Sequence, residues 1–283
     1  MVTIKNEYLT ARIAERGAEL KSLSRDGIEF MYEGRPEVWD YSAPMVFPIC
    51  GALKDGKFTY RGKEYSLMKH GFARTAVFSA EKLSESSAVF TLAPTEEMKS
   101  SYPFDFELRV IFSLVGERLS VKYEVENKGN GTMYFSIGSH EAYRTEGGIE
   151  RFDVVFDEPI TVLKTAIEDG LTGKKTVPVL KNSAVYPLYE SVFINDALVF
   201  RDFPTRAATL RDRVTGRGVR VEFPDMKNML LWHVPGAPYM CIEPWSGMPD
   251  AHDADGLIEH KLDITALEAG KTYENEHFII PIL

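Results

Sequence analysis

The tightest constraint on the fold is a pair of alternating runs between Phe106 and Glu126. Phe106, Leu108, Val110, Phe112 and Leu114 alternate with Glu107, Arg109, Ile111 and Ser113. After Gly116-Glu117-Arg118 the phase restarts, with Leu119, Val121, Tyr123 and Val125 set against Ser120, Lys122, Glu124 and Glu126. A period of two sends successive side chains to opposite faces of an extended strand, whereas a helix needs a period of 3.6. Two such runs around a glycine-bearing turn predict a β-hairpin with one wet face.

Short runs of the same kind recur along the chain. Upstream they are Tyr8–Ile13, Glu19–Leu23, Phe58–Tyr60, Ala76–Ser79 and Ala88–Leu92. Downstream they are Met133–Ile137, Phe152–Phe156, Thr161–Leu163, Val192–Ile194, Leu198–Phe200, Ala208–Leu210, Val219–Phe223, Met229–Trp232 and His277–Ile280. Arg211–Arg217, with its Thr-Gly tip, predicts a second hairpin. One short helix is expected over Thr95–Ser101, with Thr95 as its cap and Pro103 beyond its end. Ile167–Val185 is polar and turn-rich and reads as a long surface connection. Many short strands divided by Gly, Pro, Asn and Asp predict an all-β sandwich or barrel. With no repeat or linker in sight, residues 1–283 read as one domain.

Composition narrows the function classes. The net charge is -9 and the basic residues form no arm or stripe, which argues against nucleic-acid partners and against attachment to anionic lipid. No apolar run reaches the roughly 18 residues of a membrane helix, and the N-terminus lacks a signal-peptide pattern, so a cytoplasmic location is expected. The two cysteines, Cys50 and Cys241, sit in apolar surroundings and read as buried free thiols. No His, Cys and Asp spacing gives a zinc pattern. Asp253-Ala254-Asp255-Gly256 fails as a calcium loop, because Ala251 and Leu262 would occupy ligand positions. Walker, Gly-x-Ser-x-Gly and His-Glu-x-x-His motifs are absent from the sequence. No metal or cofactor is expected.

Met240–Asp250 starts as an apolar run that reads as a buried strand; one carboxylate, Glu243, interrupts it, it stops being an ordinary ladder member at Pro244, and Trp245, Gly247 and Pro249 then form a turn. A carboxylate there, next to Trp245, suits a general base; an edge-strand Glu with its head in water is the plainer reading. Of six histidines, His70 opens His-Gly-Phe-Ala-Arg and His140 closes Phe-Ser-Ile-Gly-Ser-His. Both lie at strand-to-loop transitions, where functional groups are commonly mounted. Taken singly, each also fits as a surface or core-satisfied side chain. His233 reads as structural.

Taken together, these pieces resemble the aldose 1-epimerase (galactose mutarotase-like) family, particularly its LacX-like branch. The matching segments, in order, are Gly17–Leu23, Phe47–Gly51 with Leu53–Gly56, His70–Arg74, His140 behind Gly138, Asn195–Leu198, and Cys241–Trp245 with Gly247 and Asp250. The resemblance implies a large twisted antiparallel β-sandwich with a sugar cleft. It implies Glu243 as the base at the anomeric hydroxyl and His140 as the acid at the ring oxygen. His70 would bind near that oxygen, and Asp196 would bind hydroxyls. Phe72, Trp232 and Trp245 are available for stacking. Where many members carry a sugar-contacting arginine, this chain has Ala52, so the contact is lost or moves to Arg74 or Lys54. Arg74 also matches an arginine that hexose-6-phosphate members use to hold phosphate. The expected partner is a small-molecule sugar, on a monomer or homodimer. The function implied is anomer interconversion; a hexose-6-phosphate mutarotase and a silent sugar-binding protein are the alternatives.

Overall fold

The 106–126 stretch is the hairpin its alternation predicts. In the computed structural model, which describes residues Met1–Leu283, Phe106–Val115 and Arg118–Asn127 pair antiparallel, with Leu114 opposite Leu119 and Phe112 opposite Val121. All five apolar residues of the first run are buried.

A 13-stranded sheet extends from this hairpin in both directions. On one side lie Ser87–Leu92 and Ser79–Ser84. On the other lie, in order, Thr272–Ile282, Gly218–Glu222, Ala207–Asp212, Phe152–Glu168, Leu198–Phe200, Asn228–Trp232, Tyr239–Trp245 and Glu141–Arg144. The sheet cannot be flat. Glu141 on the last strand lies seven places from His277 in this order, a span of about 33 Å at ordinary strand spacing. Yet His277 Nε2 and Glu141 Oε1 are 2.9 Å apart. The sheet therefore curls over its own apolar face, and that face holds a core cluster of 61 buried residues running from Ile4 to Ile279. A four-stranded antiparallel sheet, from Val2–Lys5 to Ile28–Glu29, packs against the same core.

The helix forms at Glu96–Ser101, and Thr95 Oγ1 accepts from Met98 N at 3.2 Å. The Arg211–Arg217 hairpin also forms. Four expectations change. Ile167–Val185 is not a loose connection: Phe152–Glu168 and Leu171–Pro187 form a long hairpin whose tip is Asp169-Gly170. Apart from one bridge between Thr172 and Ala251, its second strand pairs on one side only and is largely exposed, so no buried face imprints a period on the sequence. Val192–Ile194 falls within and just after a 3-10 turn, Glu190–Phe193, and only the last residue of Ala76–Ser79 enters a strand. Finally, Tyr239–Trp245 runs through Pro244 instead of stopping there. Pro244 O accepts from Ser139 N at 3.1 Å, so its nitrogen faces the same side. The Glu141–Arg144 ladder on that side has ended at Ile242, and no N–H is required.

Candidate active site

Strand alternation builds the floor of the site. Cys241, Glu243 and Trp245 share one face of Tyr239–Trp245. Leu230 stands opposite Glu243, and Val199 opposite Leu230. Glu243, Leu230 and Val199 line a cavity of about 260 Å³. Its walls include Trp39, Trp232, His70, His140, Lys69, Arg74 and Asp196, and the long hairpin closes one side with Ile167 and Gly170.

His140 is delivered by the segment that precedes Glu141–Arg144. Gly138 in that segment crosses Tyr239–Trp245 so closely that a Cβ on it would lie 2.5 Å from Trp245 Cδ1; only glycine fits. The result is His140 Nε2 at 3.3 Å from Glu243 Oε2. His140 Nδ1 and Glu243 Oε1 are buried without any hydrogen-bond partner. Trp39 and Trp232 flank the imidazole at ring separations of 5.1 and 5.3 Å.

His70 sits in a left-handed conformation (φ 69°) ahead of Gly71 (φ 68°). A Cβ at Gly71 would lie 2.3 Å from Phe47 O, so this turn too requires glycine. Gly51 N donates to His70 Nδ1 at 3.3 Å. An accepting Nδ1 in a neutral ring leaves the proton on Nε2, which makes His70 a donor toward the cavity.

Burial sets the charges. It drives His140 down to about 3, with Lys69 and Arg74 nearby adding to it. It holds His70 well below the ordinary range, helped by His140, Lys69 and Arg74. It pushes the Glu243 carboxyl well above the ordinary range, against the pull of Lys69. Imidazole and carboxyl thus both resist charge, and together they hold one proton.

Seven of the eight residues expected from the sequence line this cavity: Glu243, His140, His70, Asp196, Arg74, Trp232 and Trp245. Asp196 adopts a left-handed φ of 111°, and its Oδ1 accepts from Ala197 N at 2.8 Å. Trp245 is buried, donates to Ser139 O at 2.9 Å and packs edge-on to His70, so it supports the histidine as much as it lines the space. Phe72 is the exception. It is not among the lining residues, and its ring packs on Phe47, Tyr102 and Phe106; an apolar ring beside that aromatic cluster gains more from the core than from a wet cleft. Of the two cations weighed against Ala52, Arg74 reaches the cavity, while Lys54 Nζ turns away to Ala254 O. Trp39, Lys69, Ile167 and Gly170 were missed. Trp39 lies in a turn-rich stretch without periodicity. Lys69 carried one available signal, its place directly before His70.

A family model described as aldose 1-epimerase matches residues 1–277. Protein LacX (plasmid) of Lactococcus lactis subsp. lactis is 34% identical over 279 residues, 93% of either chain. Among solved structures, a galactose mutarotase related enzyme from Lactobacillus acidophilus is 32% identical with a TM-score of 0.94, covering 100% of this chain and 97% of its own. A galactose mutarotase-like protein from Lactobacillus casei is 26% identical with a TM-score of 0.94 and full coverage of both chains.

Proposed function

The chain belongs to the aldose 1-epimerase family, and on that premise we propose that its cavity interconverts the α and β anomers of an aldohexose by acid–base ring opening. The observation that carries the reading is the buried His140–Glu243 pair, 3.3 Å apart, each with a further heteroatom unpartnered. Anomeric O1 and ring O5 are bonded to the same carbon, so the groups that serve them must lie a few ångströms apart.

With the pair in its ionic form, Glu243 takes the O1 proton while His140 protonates O5. The C1–O5 bond breaks and the aldehyde turns about C1–C2. It then recloses on its other face as His140 recovers a proton from O5 and Glu243 returns one to O1. Ring opening therefore converts carboxylate plus imidazolium into carboxylic acid plus imidazole, and closure reverses it. Each such group is typically worth about 10²–10⁴-fold. In this reading His70 Nε2–H donates to the sugar near O5, Asp196 accepts from hydroxyls, and Trp39 and Trp232 offer faces to the sugar's C–H surface.

One observation favours a second reading of the substrate. Lys69 and Arg74 both line the cavity, and Arg74 Nε is buried without a partner. Two cations suit a hexose carrying a 6-phosphate. Polarimetry of freshly dissolved α-sugars, with and without 6-phosphate, tests both readings. No acceleration over spontaneous mutarotation for any aldose would reject them and leave a silent sugar-binding protein.

A further inference from the structure

The acid–base pair has a third neighbour to which the proposed mechanism gives no role. One nitrogen of His140, Sγ of Cys241 and one carboxylate oxygen of Glu243 all lie within 4.8 Å of one another. The register explains the convergence. Cys241 and Glu243 stand two apart on one strand and share a face, and Cys241 pairs with Ala142, two residues beyond His140. Cys241 is a free, fully buried thiol. His140 and Glu243 are 9% and 1% exposed, and Nδ1 of the one and Oε1 of the other have no partner.

We propose that His140, Cys241 and Glu243 form an inhibitory site for a soft divalent cation of the Zn²⁺ type, with its fourth position open to the cavity. A thiolate, an imidazole and a carboxylate make a donor set that borderline and soft cations prefer, whereas Mg²⁺ and Ca²⁺ seek oxygen alone. Three protein ligands plus an exchangeable fourth is the arrangement of open zinc sites. Zinc bonds of about 2.0–2.3 Å put tetrahedral donors about 3.5 Å apart, so the widest gap has to close by roughly 1 Å, which side-chain torsions supply. The exchange balances in protons and involves no electron transfer. Cys241 gives up its thiol proton, the His140–Glu243 pair gives up the one it holds, and three metal–ligand bonds replace them. Both protons leave to solvent. The cation then occupies the electron pairs that would serve O1 and O5, so metal and sugar exclude each other. Sequence spacing hides this site, because His140 lies far from the Cys-x-Glu pair in the chain and joins it only when the strands pair.

Metal binding stands on geometry alone; inhibition rests also on the proposed role of the pair. Cobalt titration of the whole protein tests the binding. Co²⁺ should produce a near-ultraviolet thiolate-to-cobalt charge-transfer band in the wild type, Zn²⁺ should displace it, and Cys241→Ser should lack it. In polarimetry, Zn²⁺ should inhibit the wild type. Cys241→Ser, measured against its own metal-free rate, should need at least about tenfold more Zn²⁺ for the same fractional inhibition, a loss that even changes behind a metal ligand commonly produce. Absence of the cobalt band in the wild type overturns the site without reference to any variant. Zinc inhibition undiminished in Cys241→Ser overturns it as well. If the protein proves to have no mutarotase activity, the cobalt band still decides the site.

Discussion

His140 Nε2 lies 3.3 Å from Glu243 Oε2, and both side chains are nearly withdrawn from solvent. Burial alone makes each reluctant to carry charge, while their contact favours the ionic form. In the proposed reaction the two forms are the two ends of ring opening, carboxylate with imidazolium before it and carboxylic acid with imidazole after it.

Glu243→Gln keeps the volume and removes the base. The expected outcome is a fall in kcat/KM of about 10²–10⁴-fold, with an unchanged circular-dichroism spectrum. His140→Asn should fall comparably. The double variant should lose little more than either single one, because two groups acting as a unit are not additive. A Glu243→Gln enzyme with near wild-type polarimetric rates would remove Glu243 from the chemistry.

The pH dependence follows from the proton count. The productive pair holds one proton. A second is resisted because burial holds His140 at about 3, so the rate should not break as pH falls through the ordinary histidine range near 6.5. Loss of the only proton is resisted because burial raises Glu243, so the alkaline break should stand well above the ordinary carboxyl range. Stability runs alongside. The depressed His140 contributes stability that is complete above its unfolded value near 6.5 and is lost as pH falls toward about 3. Glu243, raised, contributes stability present below its unfolded value and lost as pH rises through its folded one. His140→Asn should therefore flatten the acid side of a plot of Tm against pH.

Particular residues show what the sequence could reveal. The 106–126 hairpin was legible because one face is buried and the other wet, which imprints a period of two. Glu243, His140 and His70 were legible because each stands in a short motif at a strand end. Trp39 and Gly170 were not, because what brings them to the cavity is the curl of the sheet and the reach of a hairpin whose second strand is largely exposed. Phe72 misled because its motif neighbours, His70 and Arg74, enter the cavity while its own ring turns into the core. Asp250 belongs to the segment that resembles the family around Glu243, but it does not line the cavity, and its carboxylate binds Lys261 Nζ and Lys54 N instead.

That carboxylate carries its own prediction. Lys261 Nζ lies 2.7 Å from Asp250 Oδ1, with both side chains under 5% exposed (2% and 4%). Lys54 N donates to the other oxygen at 3.0 Å. Asp250→Ala leaves the lysine buried without its counter-charge and should cost about 3–5 kcal/mol, measured by urea denaturation. Adding Lys261→Met should recover most of that loss, since replacing both partners removes the unpaired charge.

Arg74 separates the two substrate readings. Its Nη2 donates to Lys69 O at 3.1 Å and its guanidinium rests over the Tyr41 ring at 5.7 Å. These contacts aim the buried, unpartnered Nε and fix the group beside Lys69 at the cavity. A charge-assisted bond to phosphate is worth about 1.5–3 kcal/mol, equivalent to roughly 10–150-fold. If the substrate carries a 6-phosphate, Arg74→Ala should lower kcat/KM for that sugar by this factor, chiefly through KM, while the rate with the unphosphorylated hexose changes by no more than a few-fold. Equal losses on both sugars would assign Arg74 to holding the Lys69–His70 turn instead of the phosphate.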